Sequence, residues 1–244
     1  MTTIYESATM PKHFCRLFVI LARDAPTALI LRRGPSNWYH LIRWHTDSDT
    51  FERGAWFHGR IYEERCDLSP DGELAVCFCH GGAYRTGYTD SWTAVSRVPW
   101  LHAIALWPWG TTYGGGGRFI DKRRLILHVN IPVETHPDHP AYGIEVIQGS
   151  AEYHRSSAEV DGAYWSGRDR AGCLIFTQHG KLYRREQGSD REIADFNGLH
   201  PDPRPAPDWA TEPLASTSVP VPGNMTTDKK GSDSPHNSGK NGVE

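Results

Sequence analysis

The residue types best suited to chemistry are concentrated between His80 and Arg118. The candidate ligand-binding residues are His80, Asp90, Trp92, Trp107, Trp109 and Tyr113. A histidine and a carboxylate can exchange a proton with a substrate, whereas tryptophan and tyrosine offer large contact areas with a polar edge. The segment therefore predicts a binding surface for a sugar, a base or a peptide. The alternative is that 100–107 is an ordinary core strand whose tryptophans fill space.

Four consecutive glycines, 114–117, follow the aromatic residues. Glycine loses more conformational freedom on folding than any other residue, so this run predicts either a mobile loop or a close approach of the backbone to another group. A phosphate-binding loop would continue with lysine and then serine or threonine, at the start of a helix. Here Arg118-Phe119-Ile120 follows and favours a strand. The glycines are therefore a weak candidate for a phosphate site.

Other reactive residues predict no defined site. Cys77-x-Cys79-His80 resembles a metal-binding pattern, but alternate residues of a strand share a face, so His80 would point away from both thiols. By the same rule, Glu63 and Glu64 could not form a catalytic dyad on a strand. The segment 135–140 holds two histidines and an aspartate, which can bind a metal or act as acid and base, but its prolines favour a plain surface turn. The sequence lacks a serine-nucleophile elbow and a zinc-binding helix motif. We predict no metal and no cofactor, and the catalytic residues stay unknown.

Four apolar runs predict strands and recur at a near-regular interval. The runs are 28–31, 74–78, 125–129 and 173–176. Their anchors Leu29, Leu74, Leu125 and Leu174 are 45, 51 and 49 residues apart. A spacing of about 40 to 50 residues is typical of β-propeller blades. Further strands are predicted after the first run at 38–44 and 49–57, and after the fourth run at 181–185 and 190–196.

Turn residues precede the second run. The segment from Leu68 to Val76 contains Ser-Pro-Asp-Gly, a tight turn in which Gly72 supplies a positive φ. This segment resembles the repeat of WD40-like and TolB-type β-propellers, and the segment from Trp165 to Tyr183 is similar to it. In those families the turn introduces the second strand of each blade. The resemblance implies an architecture and no particular activity.

We therefore predict an all-β fold of antiparallel meander units, as a small propeller of four or five blades. The first strand is expected to pair with the last blade, since closure removes exposed edges. The third run lacks the Pro-Asp-Gly turn, and 80–118 is longer than a simple loop. A β-sandwich or an incomplete propeller is therefore the alternative.

The chain divides into four segments by composition. Residues 1–13 are an irregular lead, 14–200 form the β domain, 201–210 are a proline-rich docking segment and 211–244 are a disordered tail. The tail is too poor in apolar residues to offset its ordering entropy. Asp208-Trp209-Ala210 is expected to make the last ordered contact. Ending the chain at Ala210 should then leave thermal stability nearly unchanged.

Charge and cysteine content limit the partners and the compartment. The formal net charge is −3, which disfavours nucleic acid as a partner. The arginine pairs 32–33, 123–124 and 184–185 would form a nucleic-acid surface only if they fell on one face. The apolar run 14–22 is too short to span a membrane and lacks a signal-peptide cleavage site. Five cysteines in no disulfide pattern favour a cytoplasmic protein.

Two function classes follow. The first is a non-catalytic binding or scaffolding module that contacts a protein or a small polar ligand through 80–118. The second is a hydrolase or lyase on the central face of a propeller, using His80, His58 or Asp90. The enzyme requires a histidine and a carboxylate within hydrogen-bond distance in a pocket. The binding module requires an aromatic patch without converging ionisable groups.

Overall fold

The computed structural model describes residues 13–81, 89–150, 152–154 and 159–215. This part of the chain is all-β and forms four sheets in chain order. None of its helices has the length and apolar character needed to cross a membrane. The prediction of an all-β fold is confirmed.

The first and fourth sheets are antiparallel meanders of four strands. The first sheet contains β1 (Arg16–Leu21), β2 (Thr27–Arg33), β3 (Trp38–His45) and β4 (Thr50–His58). The fourth contains β13 (Trp165–Arg168), β14 (Leu174–Gln178), β15 (Lys181–Glu186) and β16 (Ser189–Asp195). In both sheets the strands that follow β2 and β14 lie where the sequence predicts them.

The second sheet begins with two short strands that both pair with the same longer strand. Its strands are β5 (Arg60–Ile61), β6 (Asp67–Leu68), β7 (Leu74–His80), β8 (Ser91–Arg97) and β9 (Ala103–Pro108). Both β5 and β6 pair with β7, and a 3-10 turn (Glu63–Arg65) joins them. The predicted tight turn connects β6 to β7: Gly72 has a φ of 75°, and the hydroxyl of Ser69 donates to Asp71 at 2.7 Å.

The third sheet departs from the predicted meander. Its strands are β10 (Gly117–Phe119), β11 (Arg124–His128) and β12 (Glu145–Gly149). β10 and β11 are antiparallel, but β11 and β12 are parallel. A parallel pair needs a crossover connection, and the segment 129–144 provides it without a strand of its own. The expectation of antiparallel units throughout is therefore wrong for this sheet.

The first strands of the sheets lie towards one another. β1 contacts β13 and β14 of the fourth sheet and β6 of the second, while β10 contacts β6 and β7. One core cluster joins the first, second and fourth sheets, and includes Leu17, Leu29, Leu68, Trp165 and Ile175. The expected pairing of the first strand with the last sheet is wrong, because β1 pairs with β2. A short turn connects β1 to β2, so β2 is the nearest strand with which β1 can form a hairpin.

The outer strands β4, β12 and β16 are largely exposed, whereas the outer strand β9 is mostly buried, and the sheets end in different ways. β4 and β16 carry charged residues, and Asp190 and Glu192 of β16 pair with Arg185 and Lys181 of β15 at 2.7 and 2.9 Å. The edge of β9 is covered by a loop, because the backbone N–H and C=O of Leu106 bond to residues 139 and 136. Beside β12, the amide of Gln148 bonds to both the backbone N–H and C=O of Val133.

The C-terminal segment packs against a second core cluster. The helix α1 (Asp208–Thr211) places Ala210 in a fully buried position, as predicted. The contacts continue beyond it, because Leu214 is only 5% exposed and belongs to the cluster with Trp107 and Ile144. Residue 210 is therefore not the last ordered contact. Residues 216–244, most of the predicted disordered tail, lie outside the described residues.

Ending the chain after Ala210 is therefore expected to destabilise it, contrary to the expectation from sequence. Loss of the buried Leu214 side chain should cost about 1.5–3 kcal/mol in the free energy of unfolding. A chain ending after Ala215 keeps this contact and serves as the control, with an expected change close to zero. Urea unfolding of the two truncated chains and the full chain measures both values. Equal stabilities for the two truncations would contradict the docking of Leu214.

Candidate functional site

A cavity of about 400 Å³ lies where the first, second and fourth sheets approach one another. We call it the inner cavity. Its aromatic walls are Phe18, Tyr62 and Tyr164, and its charged walls are Arg60, Glu63, Glu64 and Arg65. Phe18 comes from β1, Tyr164 precedes β13, and the other five residues lie in or beside the 3-10 turn of the second sheet. The cavity therefore depends on three sheets being in place.

A hydrogen-bond network holds one side of the inner cavity. Arg60 donates to the hydroxyl of Tyr39 at 2.7 Å and pairs with Glu63 at 3.1 Å. The Tyr39 hydroxyl in turn donates to Glu63 at 2.9 Å. Burial, and secondarily the Glu63 carboxylate, raise the pKa of Tyr39, so its hydroxyl stays protonated. Because each partner is held by two others, the Arg60 and Glu63 side chains present fixed donors and acceptors.

Arg65 holds the opposite side of the inner cavity and binds the loop that contains the four glycines. Its guanidinium donates to the carbonyls of Thr112 and Gly114 at 2.9 and 2.7 Å. It also lies over the rings of Tyr62 and Phe78, 5.3 Å from each ring centre. These contacts hold the loop that contains the four glycines against the rim of the inner cavity.

The glycines pack tightly. A Cβ on Gly115 would lie 2.3 Å from the Phe78 ring, and a Cβ on Gly116 would lie 2.3 Å from the carbonyl oxygen of Arg65. Both residues have a positive φ. Of the two sequence-based interpretations, the structure supports a close approach of the backbone.

Tyr164 is the most accessible aromatic wall, with 37% of its surface exposed. The guanidinium of Arg16 lies over its ring, 5.7 Å from the ring centre. Burial raises the pKa of Tyr164, with a smaller contribution from Glu63, so its hydroxyl is a neutral donor and acceptor. Tyr164 can therefore contact a ligand through its ring and its hydroxyl.

A histidine and a carboxylate meet beside this cavity, but they are not the predicted ones. His154 Nε2 lies 2.9 Å from Asp67 Oδ1, and the other oxygen of Asp67 accepts from the backbone N–H of Phe119 at 2.7 Å. The backbone N–H of His154 donates to the carbonyl of Glu64 at 2.9 Å. This pair therefore lies next to a residue that lines the inner cavity.

The sequence-predicted candidates are spread over the second sheet and the loop after it. His80 and Asp90 approach to 3.7 Å, which is too long for a hydrogen bond. Trp107 is 1% exposed and belongs to the second core cluster. Its position fits the alternative interpretation of 100–107, since β9 is a core strand.

The remaining aromatic candidates differ in exposure. Trp92 packs edge-on against Phe57, with ring centres 6.1 Å apart. Trp109 donates from its indole nitrogen to Thr93 at 2.9 Å. Tyr113 is 83% exposed. Residues 82–88 of the predicted surface lie outside the described residues. His58, a candidate for the enzyme hypothesis, is exposed and packs on Trp38, with ring centres 4.9 Å apart.

Sequence reasoning missed most of the inner cavity. Glu63 and Glu64 were considered as neighbours on a strand, but they lie in a 3-10 turn and both line the cavity. The available signal was the run from Arg60 to Arg65, where four charged residues surround Tyr62. Such a run between two short strands is typical of a functional turn as well as of a solvated one.

Other predicted patterns form no clear site. Cys66, Cys77 and Cys79 are buried free thiols, and the described residues contain no group of three or more His, Cys, Asp or Glu placed to hold a metal ion. The arginine pairs do not make one free basic face. Arg32 and Arg184 are buried, and Arg185 pairs with Asp190 at 2.7 Å.

The fold and cavity define an all-β protein of four sheets with a charged, tyrosine-lined cavity near their first strands. Comparison with known proteins adds no family to this description. No protein-family model matches the sequence, and neither a curated protein nor a solved structure matches it.

Proposed function

We propose that the chain is a non-catalytic binding module built on a small, propeller-like ring of four blades, and that it binds a small polar ligand in the inner cavity. The ring is supported by the chain order of the four sheets and by the contacts among their first strands. The resemblance of the segment 68–76 to WD40-like and TolB-type repeats supports it as well. In such a ring the inner cavity opens on the central face.

Ionisable groups do converge in the inner cavity, unlike the aromatic patch that the sequence led us to expect for a binding module. The observation that carries the proposal is the combination of aromatic walls with fixed, charged hydrogen-bond partners in one cavity. Ligand sites are commonly concave, of about 300–1,000 Å³, with aromatic walls and a few well-placed polar groups. The inner cavity has a volume of about 400 Å³ and fits this description. Tyr62 and Tyr164 provide ring faces, while Arg60 and Glu63 are held in place by Tyr39.

The balance of charge indicates the class of ligand. Two guanidinium groups and two carboxylates line the inner cavity, so a ligand with a strong net charge would meet repulsion as well as attraction. A ligand with donors and acceptors but little net charge fits better. Neutral oligosaccharides and free amino acids meet this requirement, and aromatic rings stack well on the apolar faces of such molecules.

We expect at least one neutral oligosaccharide or amino acid to raise the melting temperature of the full chain in a saturable manner. The variant Tyr164→Ala should weaken its binding about tenfold, which corresponds to loss of roughly 1.4 kcal/mol of contact. Isothermal titration of both proteins measures this change. The control is Tyr142→Ala, which removes a 60% exposed tyrosine from the crossover segment of the third sheet. Identical affinities for the two variants would contradict binding in the inner cavity.

A hydrolase or lyase is the second candidate, because His154 and Asp67 lie at hydrogen-bond distance beside Glu64. Such a pair can act as an acid and a base. Turnover of an oligosaccharide or ester that disappears in Asp67→Asn would favour the enzyme. The binding module predicts that the full chain returns every ligand unchanged.

A further inference from the structure

A second and larger cavity, of about 480 Å³, lies at the ends of β1 and β2. We call it the arginine pocket. Its basic lining residues are Arg16, Arg32, Arg33, His13 and His200, and the described part of the chain contributes no Asp or Glu to its lining. Phe14, Pro35 and Leu199 contribute apolar surface. The arginine pocket shares no lining residue with the inner cavity, so its charge is a separate property of the fold.

Two of these arginines oppose each other directly. Arg16 and Arg33 are register partners on the antiparallel strands β1 and β2. Like charges in directly opposite positions destabilise a sheet unless another group neutralises them. Within the described residues, neither guanidinium lies within 4.0 Å of a carboxylate; each lies over a tyrosine ring instead, Arg16 over Tyr164 and Arg33 over Tyr39.

The third arginine adds a buried charge. Arg32 is 1% exposed; its guanidinium donates to backbone carbonyls, including those of Phe196 at 2.8 Å and Leu199 at 2.9 Å, and its other described hydrogen-bond partner is the thiol of Cys15. Carbonyl groups satisfy its N–H groups but carry no net negative charge. Buried charges are normally paired, because an uncompensated charge is costly away from water.

Among the residues that the structure describes, the groups near the arginine pocket do not supply the missing negative charge. Burial raises the pKa of the Cys15 thiol, more than the neighbouring Arg32 lowers it, so Cys15 stays neutral. Asp195 is the acidic neighbour of Cys15, and its carboxylate is held by Asn197 at 2.8 Å and by Lys181 at 3.6 Å. On the side of Arg33, the carboxylate of Glu63 is already held by Arg60 at 3.1 Å and by the Tyr39 hydroxyl at 2.9 Å. The arginine pocket therefore carries an excess of positive charge that an anion would balance.

We propose that the arginine pocket binds the phosphate group of a small phosphate monoester. Guanidinium groups match phosphate oxygens as paired donors, and such charge-assisted hydrogen bonds are about twice as strong as neutral ones. The cavity is larger than a phosphate ion needs, so it has room for a small organic group against Phe14 and Leu199. Binding would also relieve the repulsion between Arg16 and Arg33.

The test is titration of the full chain with inorganic phosphate and with a sugar monophosphate, followed by ³¹P NMR and calorimetry. The sugar monophosphate is expected to bind saturably and more tightly than inorganic phosphate. Arg33→Gln should weaken binding by about ten- to a hundredfold through loss of one charge-assisted contact. Arg16→Gln should act in the same direction. Arg123→Gln is the control, since it makes the same change of charge at an exposed turn of the third sheet.

The outcomes distinguish a site for free phosphate from a site for a phosphate monoester. Equal affinity for inorganic phosphate and the sugar monophosphate, both lost in Arg33→Gln, would support the phosphate site but overturn the role of the organic group. No saturable binding of either probe, or equal weakening in Arg33→Gln and Arg123→Gln, would overturn the proposal. Arg33→Gln should still fold, because it removes a like-charge opposition, and its melting temperature verifies this. Arg16 and Arg33 lie over Tyr164 and Tyr39, so the neutral ligands of the inner cavity are measured on the chain without substitutions. Absence of their binding there bears on the proposed function alone, whereas loss of phosphate binding in Arg33→Gln bears on the arginine pocket.

Discussion

Replacement of Gly116 by alanine should lower the free energy of unfolding by roughly 2–5 kcal/mol. The new Cβ would lie 2.3 Å from the carbonyl oxygen and 2.7 Å from the Cβ of Arg65. The φ of Gly116 is 87°, a conformation that alanine adopts only with strain. Because Arg65 holds the loop through Thr112 and Gly114, moving it to make room would break contacts at the rim of the inner cavity.

Gly172→Ala is the matched control for this prediction. Gly172 has a φ of 80°, close to that of Gly116, but an added Cβ would have no atom within 4 Å. Its cost should be that of the backbone alone, about 1–2 kcal/mol. Urea unfolding of both variants separates the strain from the steric clash. A Gly116 variant no less stable than the Gly172 variant would contradict the close approach.

Replacement of Arg32 by methionine should destabilise the chain by about 3–5 kcal/mol. Arg32 lies in β2 of the first sheet and donates to the carbonyls of Gly34, Phe196, Asn197 and Leu199. Three of these carbonyls follow the last strand of the fourth sheet. The variant would remove the guanidinium donor from the buried carbonyl of Phe196 and from the part-buried carbonyls of Asn197 and Leu199, and an unpaired buried group costs about 1–3 kcal/mol. Arg32 therefore acts as a link between the beginning and the end of the β domain.

The neighbouring Arg33→Met provides the control, since it replaces the same charged side chain by the same unbranched apolar one. Arg33 makes a contact with the ring of Tyr39 and no ion pair within the described residues. Its loss should change the free energy of unfolding by less than about 1 kcal/mol. Thermal and chemical unfolding of the two variants, made in parallel, measures the difference. Similar values for both would mean that the four carbonyl contacts of Arg32 contribute little.

Local patterns predicted most of the strands. The apolar runs lie in or overlap β2, β7, β11 and β14, because a continuous apolar run of only four or five residues bounded by turn residues is typical of a buried strand and too short for most helices. The parallel pair of β11 and β12 escaped prediction for a physical reason. The register of Glu145–Gly149 on β11 is set by a crossover of irregular backbone, and no short-range turn residue specifies it.

The site was harder to predict than the strands. The binding surface predicted for 80–118 stays a prediction; within it, Trp107 fills the core and His80 lies 3.7 Å from Asp90. The inner cavity joins residues about a hundred positions apart, such as Tyr62 and Tyr164. Their proximity follows from the packing of whole sheets, and a single sequence contains no local pattern for that distance.

The outer strands have a consequence for the behaviour of many copies of this chain in one solution. An unpaired strand edge is a template on which another chain can add a strand and begin to aggregate. Here β16 presents Asp190 and Glu192 in ion pairs, which an incoming strand would have to desolvate. The edge of β9 is already occupied through Leu106, and Gln148 secures Val133 beside β12. Three of the four sheets thus carry a barrier against edge-to-edge association, each of a different kind, so an all-β fold can resist fibril formation without closing every edge.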